Sequence, residues 1–203
     1  MYLSIDIETS GPCFINNGII AIGYCIGDEN GFTLVKNRIH MKLHTDHSFD
    51  DDCERNFWNK NENLLTEFKK NEQSPKKGIS KFIKVVDDLD LKYDNLIILC
   101  DNPSFDVGFL NFYISSYLKR RPLNFKFGND VYRPVIDTNS FIKGVIGRNI
   151  YQFKRYIAIK NKLKYDHLPD NDAEVNLSCY IESRKMKSYH FNNNNCPFIK
   201  NEI

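Results

Sequence analysis

Asp6 and Glu8 are separated by one residue at the end of a short apolar stretch that begins at Tyr2. In a strand, residues two apart share a face, so both carboxylates leave the same side. Two carboxylates held together repel each other, and they are stable only when protonated or when they share a cation. Hard divalent cations such as Mg²⁺ favour such oxygen ligands. A D-x-E pair arises by chance about once in a chain of this kind, so by itself it decides little.

Two more acids stand where helices are expected to start. Asp106 lies in Asn102-Pro103-Ser104-Phe105-Asp106, directly after a short apolar strand. Its spacing to Leu110, Tyr113 and Tyr117 puts it on the helix face turned toward a sheet. The plain alternative is a helix-start aspartate favoured by the macrodipole. Asp172 follows the break at Pro169-Asp170-Asn171 and shares a helix face with Val175, Asn176 and Cys179. His167 sits on the loop before it, where an imidazole can act as a base near neutral pH. A surface histidine is the ordinary alternative for that residue taken alone.

The elements that must position these groups are readable as alternating patterns. Tyr2–Asp6 and Ile19–Ile26 read as buried strands, and a third strand is expected near Phe32 to Leu43. A helix is expected from Glu54 to Lys70, broken by Gln73 to Gly78, and a second helix carries Ile79, Phe82, Ile83 and Val86. The wholly apolar segment between Asn95 and Cys100 suits a strand covered on both faces. A helix from about Ser104 to Lys119, a small strand at Val135-Ile136, and helices over 139–147, 150–162 and 171–187 complete the order. Three strands, helices, strand, helix, strand and helices make an α/β architecture with a mixed five-stranded sheet. One domain over residues 1–187 and an irregular end over 188–203 are expected.

Composition sets the outer bounds. The 203 residues suit one domain, and 41% hydrophobic with 27% charged residues is ordinary for a globular protein. No apolar run is long enough to cross a membrane, and the N-terminus lacks the pattern of a signal peptide. A cytoplasmic location is expected. The six cysteines are scattered without a C-x-x-C pair, so they are expected to be reduced thiols. The net charge of +2 conceals an asymmetry: residues 1–54 carry nine acids and three bases, whereas residues 107–165 carry twelve bases and two acids. That basic region is either a solvated lysine face or a phosphate-binding surface.

Taken in order, these segments resemble the three motifs of the DEDDh (DnaQ-like) 3′→5′ exonuclease family of the RNase H-like superfamily. Ser4 through Gly11 looks like the first motif, Asn102 through Leu110 the second, and His167 through Ala173 the third. Ile136-Asp137-Thr138 is similar to the Asp-Thr strand end that usually follows the second motif. The resemblance covers about residues 2 to 180. Asp101 departs from the histidine many relatives carry there, and Ser10 replaces a commoner threonine. Arg55 through Asn59 resembles the aromatic stretch of phage and large-virus members.

The resemblance implies an RNase H-like fold and a phosphodiester hydrolase that trims DNA and/or RNA from the 3′ end to nucleoside 5′-monophosphates. It implies that Asp6, Glu8, Asp106 and Asp172 hold two divalent ions, Mg²⁺ or Mn²⁺, and that His167 takes the proton of the attacking water. Thr9, an amide near Ser10, and Phe105 would meet the terminal nucleotide. Arg148, Lys154 and Arg155 would contact the strand, with Lys143, Lys160, Lys162 and Lys164 nearby and Phe141, Tyr151, Phe153 and Tyr156 interleaved. A separate polymerase or repair partner would be needed for proofreading. His40, His44 and His47 lie near Asp46 and Asp50, but neighbouring cations disfavour a metal there. Asp137 is expected to be a structural acceptor, and Asp50–Asp52 a solvated loop. The alternative from another class is a catalytically inactive nucleic-acid-binding module on the same fold.

Overall fold

Alternating apolar residues in the first strand face two ways, and the computed structural model fills both sides. It describes residues 1–126, 132–147 and 150–193, with side chains up to residue 186. Strand β1 (Tyr2–Thr9) is central. It pairs antiparallel with β2 (Ile19–Gly27), which pairs antiparallel with β3 (Thr33–His40). On its other side β1 runs parallel to β4 (Ile97–Cys100), and β4 runs parallel to β5 (Val135–Asp137). The sheet order is β3-β2-β1-β4-β5. It is the mixed five-stranded sheet expected for an RNase H-like arrangement.

Leu3, Ile5 and Ile7 of β1 point to one face, where they pack with α3 (Pro75–Lys92) and α4 (Pro103–Tyr113) through Ile79, Phe82, Phe109 and Leu110. Tyr2 points to the other face and meets Leu177, Tyr180 and Ile181 of α7 (Pro169–Asn193). Asp6 and Glu8 continue that second set at period two, so they leave the sheet on the α7 side. Beyond α7 lie α5 (Thr138–Ile146) and α6 (Ile150–Lys160), joined to it through Ile142, Phe153, Ile157, Val175 and Cys179.

Helix α7 comes down onto β2 because the strand offers almost no side chain there. Gly23, Cys25 and Gly27 occupy alternate positions on that face. A methyl group built at Gly23 would lie 2.0 Å from the Pro169 carbonyl carbon and 2.1 Å from the Asp170 nitrogen, both backbone atoms. At Gly27 it would meet Leu177 at 2.4 Å. Gly23 is also the β2 partner of Asp6. The missing side chain therefore lets the start of α7 settle beside Asp6.

Several expected boundaries differ. The single helix over 54–70 is broken into α1 (Asp51–Asn56), a 3-10 turn at Trp58–Lys60 and α2 (Glu62–Phe68). Asn61 leaves helical geometry and its amide donates to the Phe57 carbonyl at 2.8 Å, a local competitor for the helical ladder. The break turns Trp58 inward, where its indole N–H donates to the Thr9 carbonyl at 3.1 Å. Asp50 to Asp52 are not a loop: Asp50 caps α1 by accepting the amides of Asp52 and Cys53, and the other two fill its first turn. Lys76 to Gly78 belong to α3, with Pro75 at its first turn. β3 ends at His40 because the chain then bonds to Gln73, with the Lys42 amide donating to the Gln73 carbonyl. The helix after β4 gives way to a wider turn at Ile114–Leu118. Helix α7 runs past residue 187 to Asn193, and residues 194–203 lie outside the described residues. The five described cysteines are free thiols, and no described helix is long and apolar enough to cross a membrane.

Gly23→Ala should displace the start of α7 rather than merely overpack a core. Urea unfolding is expected to show a loss of about 1–3 kcal/mol or more. An unchanged midpoint would show that the helix start does not rest on this close approach.

Candidate active site

The parallel strands β1, β4 and β5 end at one edge of the sheet, and in such sheets ligands gather beyond the strand ends. Asp6 and Glu8 arrive there on β1, half-buried. Cys100 pairs with Ile5 across β1–β4, so Asp101 follows directly beside Asp6. Asp106 enters from the first turn of α4 and is 4% exposed. Asp172 enters from the first turn of α7, on the opposite face, and is 8% exposed. The two helices deliver one carboxylate each to the same edge from both sides of the sheet.

Electrostatics shows how close the acids stand. Burial, then the charges of Asp106, Glu8, Asp172 and Asp101, push the Asp6 carboxyl well above its usual range. Burial, then Asp172 and Asp106, push Glu8 up to about 8. Asp106 rises to about 7 through burial, partly offset by the amide of Asn102, which it accepts at 3.3 Å. Asp172 rises to about 7, again chiefly by burial, offset by the amides of Asp166 and His167 and by the charge of Lys154. A buried carboxylate without a cation prefers the proton, and four neighbours strengthen that preference. The donor set is all carboxylate oxygen and strongly anionic, which suits hard divalent cations. Among the described residues no three ligand-type side chains already close on a common point.

His167 sits on the rim. It is exposed, it adopts the left-handed backbone region at φ 61°, and its ring meets the edge of Phe57 at 5.2 Å. Histidine is among the residues that tolerate this conformation. The carboxylate of Asp172 accepts the Asp166 amide at 3.3 Å and is bonded by the His167 backbone, so the acid folds the histidine loop over itself. The side chain of Asp166 in turn accepts from the Leu168 amide and from the Asn171 amide group at 2.8 Å.

The other expected site residues divide. Phe105 is half-buried against Phe109, with ring centroids 5.0 Å apart, and walls the α4 side. Thr9 is buried, and its hydroxyl donates to the Gly11 carbonyl at 2.8 Å. Ser10 departs from expectation: its amide donates to the Gly18 carbonyl and its hydroxyl to the Ser48 carbonyl, so both donors serve the loop. Lys154 departs as well. It is buried at 4% exposure and paired with Asp101, so it faces the acids and not a passing strand. Arg155 is exposed and lies over the Tyr151 ring at 5.7 Å. Arg148 lies outside the described residues. Lys160 is tied to Glu182, while Lys143, Lys162 and Lys164 are exposed. Phe141 and Phe153 are packed inward, and Tyr151 and Tyr156 remain outside. Asp137 caps α5, accepting the Ser140 amide at 2.7 Å, as expected of a structural acceptor.

Two features of the site carry little sequence signal. Tyr165 is half-buried and directly precedes Asp166, whose amide donates to the Asp172 carboxylate at 3.3 Å; burial, then the charges of Asp172, Asp101 and Asp6, push its phenol up. No spacing rule points to it. The Gly23-Cys25-Gly27 alternation was available as a run of small residues, but it reads as strand composition until a helix is seen on it.

No protein-family model matches the chain, and no curated protein sequence matches it. Solved structures do. Product-bound exonuclease I aligns over 96% of this chain and 46% of its own, with a TM-score of 0.63 and 12% identity. The Mg²⁺- and Mn²⁺-bound form of S. pombe Pop2p aligns over 91% of this chain and 82% of its own, with a TM-score of 0.63 and 16% identity. The chain shares the fold of these two structures. A zinc-bound complex of E. coli ExoI with single-stranded DNA aligns over 94% of this chain, with a TM-score of 0.65 and 12% identity. The chain spans less than half the length of these exonuclease I structures.

Stability should depend on pH through these acids. Their folded values near 7 to 8 exceed the unfolded values of about 4. Stability from holding the proton is therefore present at low pH and is lost as pH rises through 7 to 8. In chelator, Tm is expected to fall from pH 5 to pH 8. Mn²⁺ should raise Tm at pH 8, through a stabilisation of about 2.7 kcal/mol at a hundredfold excess over Kd, and little at pH 5. A metal effect independent of pH would contradict the grouping. Lys154→Met keeps the apolar stem and removes a cation from Asp101 and Asp172. It should lower Tm in chelator more at pH 8 than at pH 5, as read by calorimetry.

Proposed function

We propose that the protein is a metal-dependent 3′→5′ exonuclease that hydrolyses single-stranded or frayed DNA or RNA to nucleoside 5′-monophosphates. The observation that carries this reading is the convergence of half-buried Asp6 and Glu8 with buried Asp106 and Asp172, brought from both faces of the sheet to its strand ends. Binding modules have no need of four mutually repelling acids. Exonuclease I and Pop2p share the fold, and their structures include forms with single-stranded DNA and with divalent ions.

Asp6, Glu8, Asp106 and Asp172 would hold two divalent ions, Mg²⁺ or Mn²⁺. Such ions supply Lewis acidity at the phosphodiester and stabilise the charge on its entering and leaving oxygens. The all-oxygen, strongly anionic donor set fits them. Asp172 holds the loop of His167 through two amides, so the base and the last ligand move together. His167 takes the proton of the attacking water at a ring nitrogen. Phe57 braces that ring from the side and limits its swing. Phe105 forms one wall for the terminal nucleotide. Trp58 holds the Thr9 carbonyl, which keeps the end of β1 in place beneath that nucleotide. The Lys154–Asp101 pair tempers the anionic field without competing for the substrate's phosphates.

The decisive assay follows 5′-labelled single- and double-stranded DNA and RNA with Mn²⁺, Mg²⁺ or chelator. Stepwise shortening from the 3′ end is expected, and none in chelator. Asp6→Ala and Asp172→Ala should abolish it, and His167→Ala should slow it by about 10²–10⁴-fold. Internal cuts, or activity that survives chelation, would refute the mechanism.

A further inference from the structure

We propose that α6 and the loop after it carry a subsite for unpaired nucleic acid, in which Tyr165, Tyr151 and Arg155 receive the nucleotides preceding the reacting end. The proposal rests on the nuclease reading for its direction, and its test separates the two. Three neighbouring observations support it. Tyr165 directly precedes Asp166, whose amide donates to the Asp172 carboxylate at 3.3 Å, so its backbone is anchored at the site. The Tyr151 ring lies 6.3 Å from the Tyr165 ring, tilted by 47°, and is 62% exposed. The Arg155 guanidinium lies 5.7 Å over Tyr151, one helical turn along.

Tyr151 and Arg155 thus share one exposed face of α6, and Tyr165, on the loop after the helix, joins that face to the loop bonded to Asp172. The charges on α6 are sorted by direction. Lys154 turns inward to Asp101 and Lys160 is tied to Glu182, whereas Arg155 has no carboxylate partner among the described residues. An unpaired guanidinium beside an open aromatic face offers one group for a phosphate and another for a base. Stacking of this kind needs bases whose faces are open, so the ligand class is a single strand and not a duplex. Because every base has such a face, the subsite tolerates sequence.

The test uses the full chain and two substrates, a labelled oligothymidylate of twelve nucleotides and the dinucleotide, with the twelve-mer's duplex as a further ligand in the binding arm. Binding of the twelve-mer is first read by fluorescence anisotropy in Ca²⁺, without requiring turnover. Tyr151→Ala is expected to weaken it roughly tenfold, and Tyr151→Phe to restore it. Arg155→Ala should weaken it and flatten its dependence on salt. With Mn²⁺, the KM ratio of twelve-mer to dinucleotide should rise roughly tenfold in Tyr151→Ala. Unchanged anisotropy in Tyr151→Ala, or equal loss for duplex and single strand, overturns the subsite. A wild-type protein that binds the strand but hydrolyses neither substrate refutes the nuclease reading, and the anisotropy arm still decides the subsite.

Discussion

Like charges resist being buried together, and this fold forces four of them into one place. Asp6, Glu8, Asp106 and Asp172 lose most of their water while gaining neighbours of the same sign. Nothing local favours that outcome. It has to be imposed by a scaffold whose remaining parts are stable enough to tolerate it. The two apolar layers on either side of β1 provide that scaffold, with fully buried Leu3 and Ile5 on one face and Ala173 and Leu177 pressed onto the other.

Geometry concentrates the strain at the strand ends. A parallel trio of strands stops at one edge, and two helix starts are drawn to it from opposite faces. Helix starts favour negative charge, which partly compensates Asp106 and Asp172. Amides do the same at closer range, since Asn102 donates to Asp106 and Asp166 donates to Asp172. The absence of a side chain at Gly23 admits the backbone at Pro169 and Asp170 next to the strand residue that pairs with Asp6. A single methyl group at that place stands between an assembled and a dispersed cluster.

The basic half of the chain is less a surface than its composition suggests. Arg133 is buried against Asp90, Arg120 pairs with Asp87, and Lys154 pairs with Asp101. Much of that charge ties elements together or balances the acids from within. What remains outside on α6 is a smaller and more directional set around Tyr151 and Arg155. Charge counts along a sequence cannot distinguish these uses, because the pairing partners are far away in the chain.

The sequence alone determined the α/β class, the succession of its strands and helices along the chain, and the placing of acids at strand ends and helix starts; the resemblance implied which four of them meet. Period-two and helical spacing are local properties, and the motif segments keep their acids at strand ends and helix starts. Only the tertiary structure decided which cations face outward, that both donors of Ser10 serve the loop, that the 51–68 segment breaks at Phe57 and Asn61, and that the loop of Tyr165 is bonded to Asp172. Each of these depends on contacts between residues distant in the chain. Burial and pairing are properties of the packed arrangement, and no residue carries them in its type or its spacing.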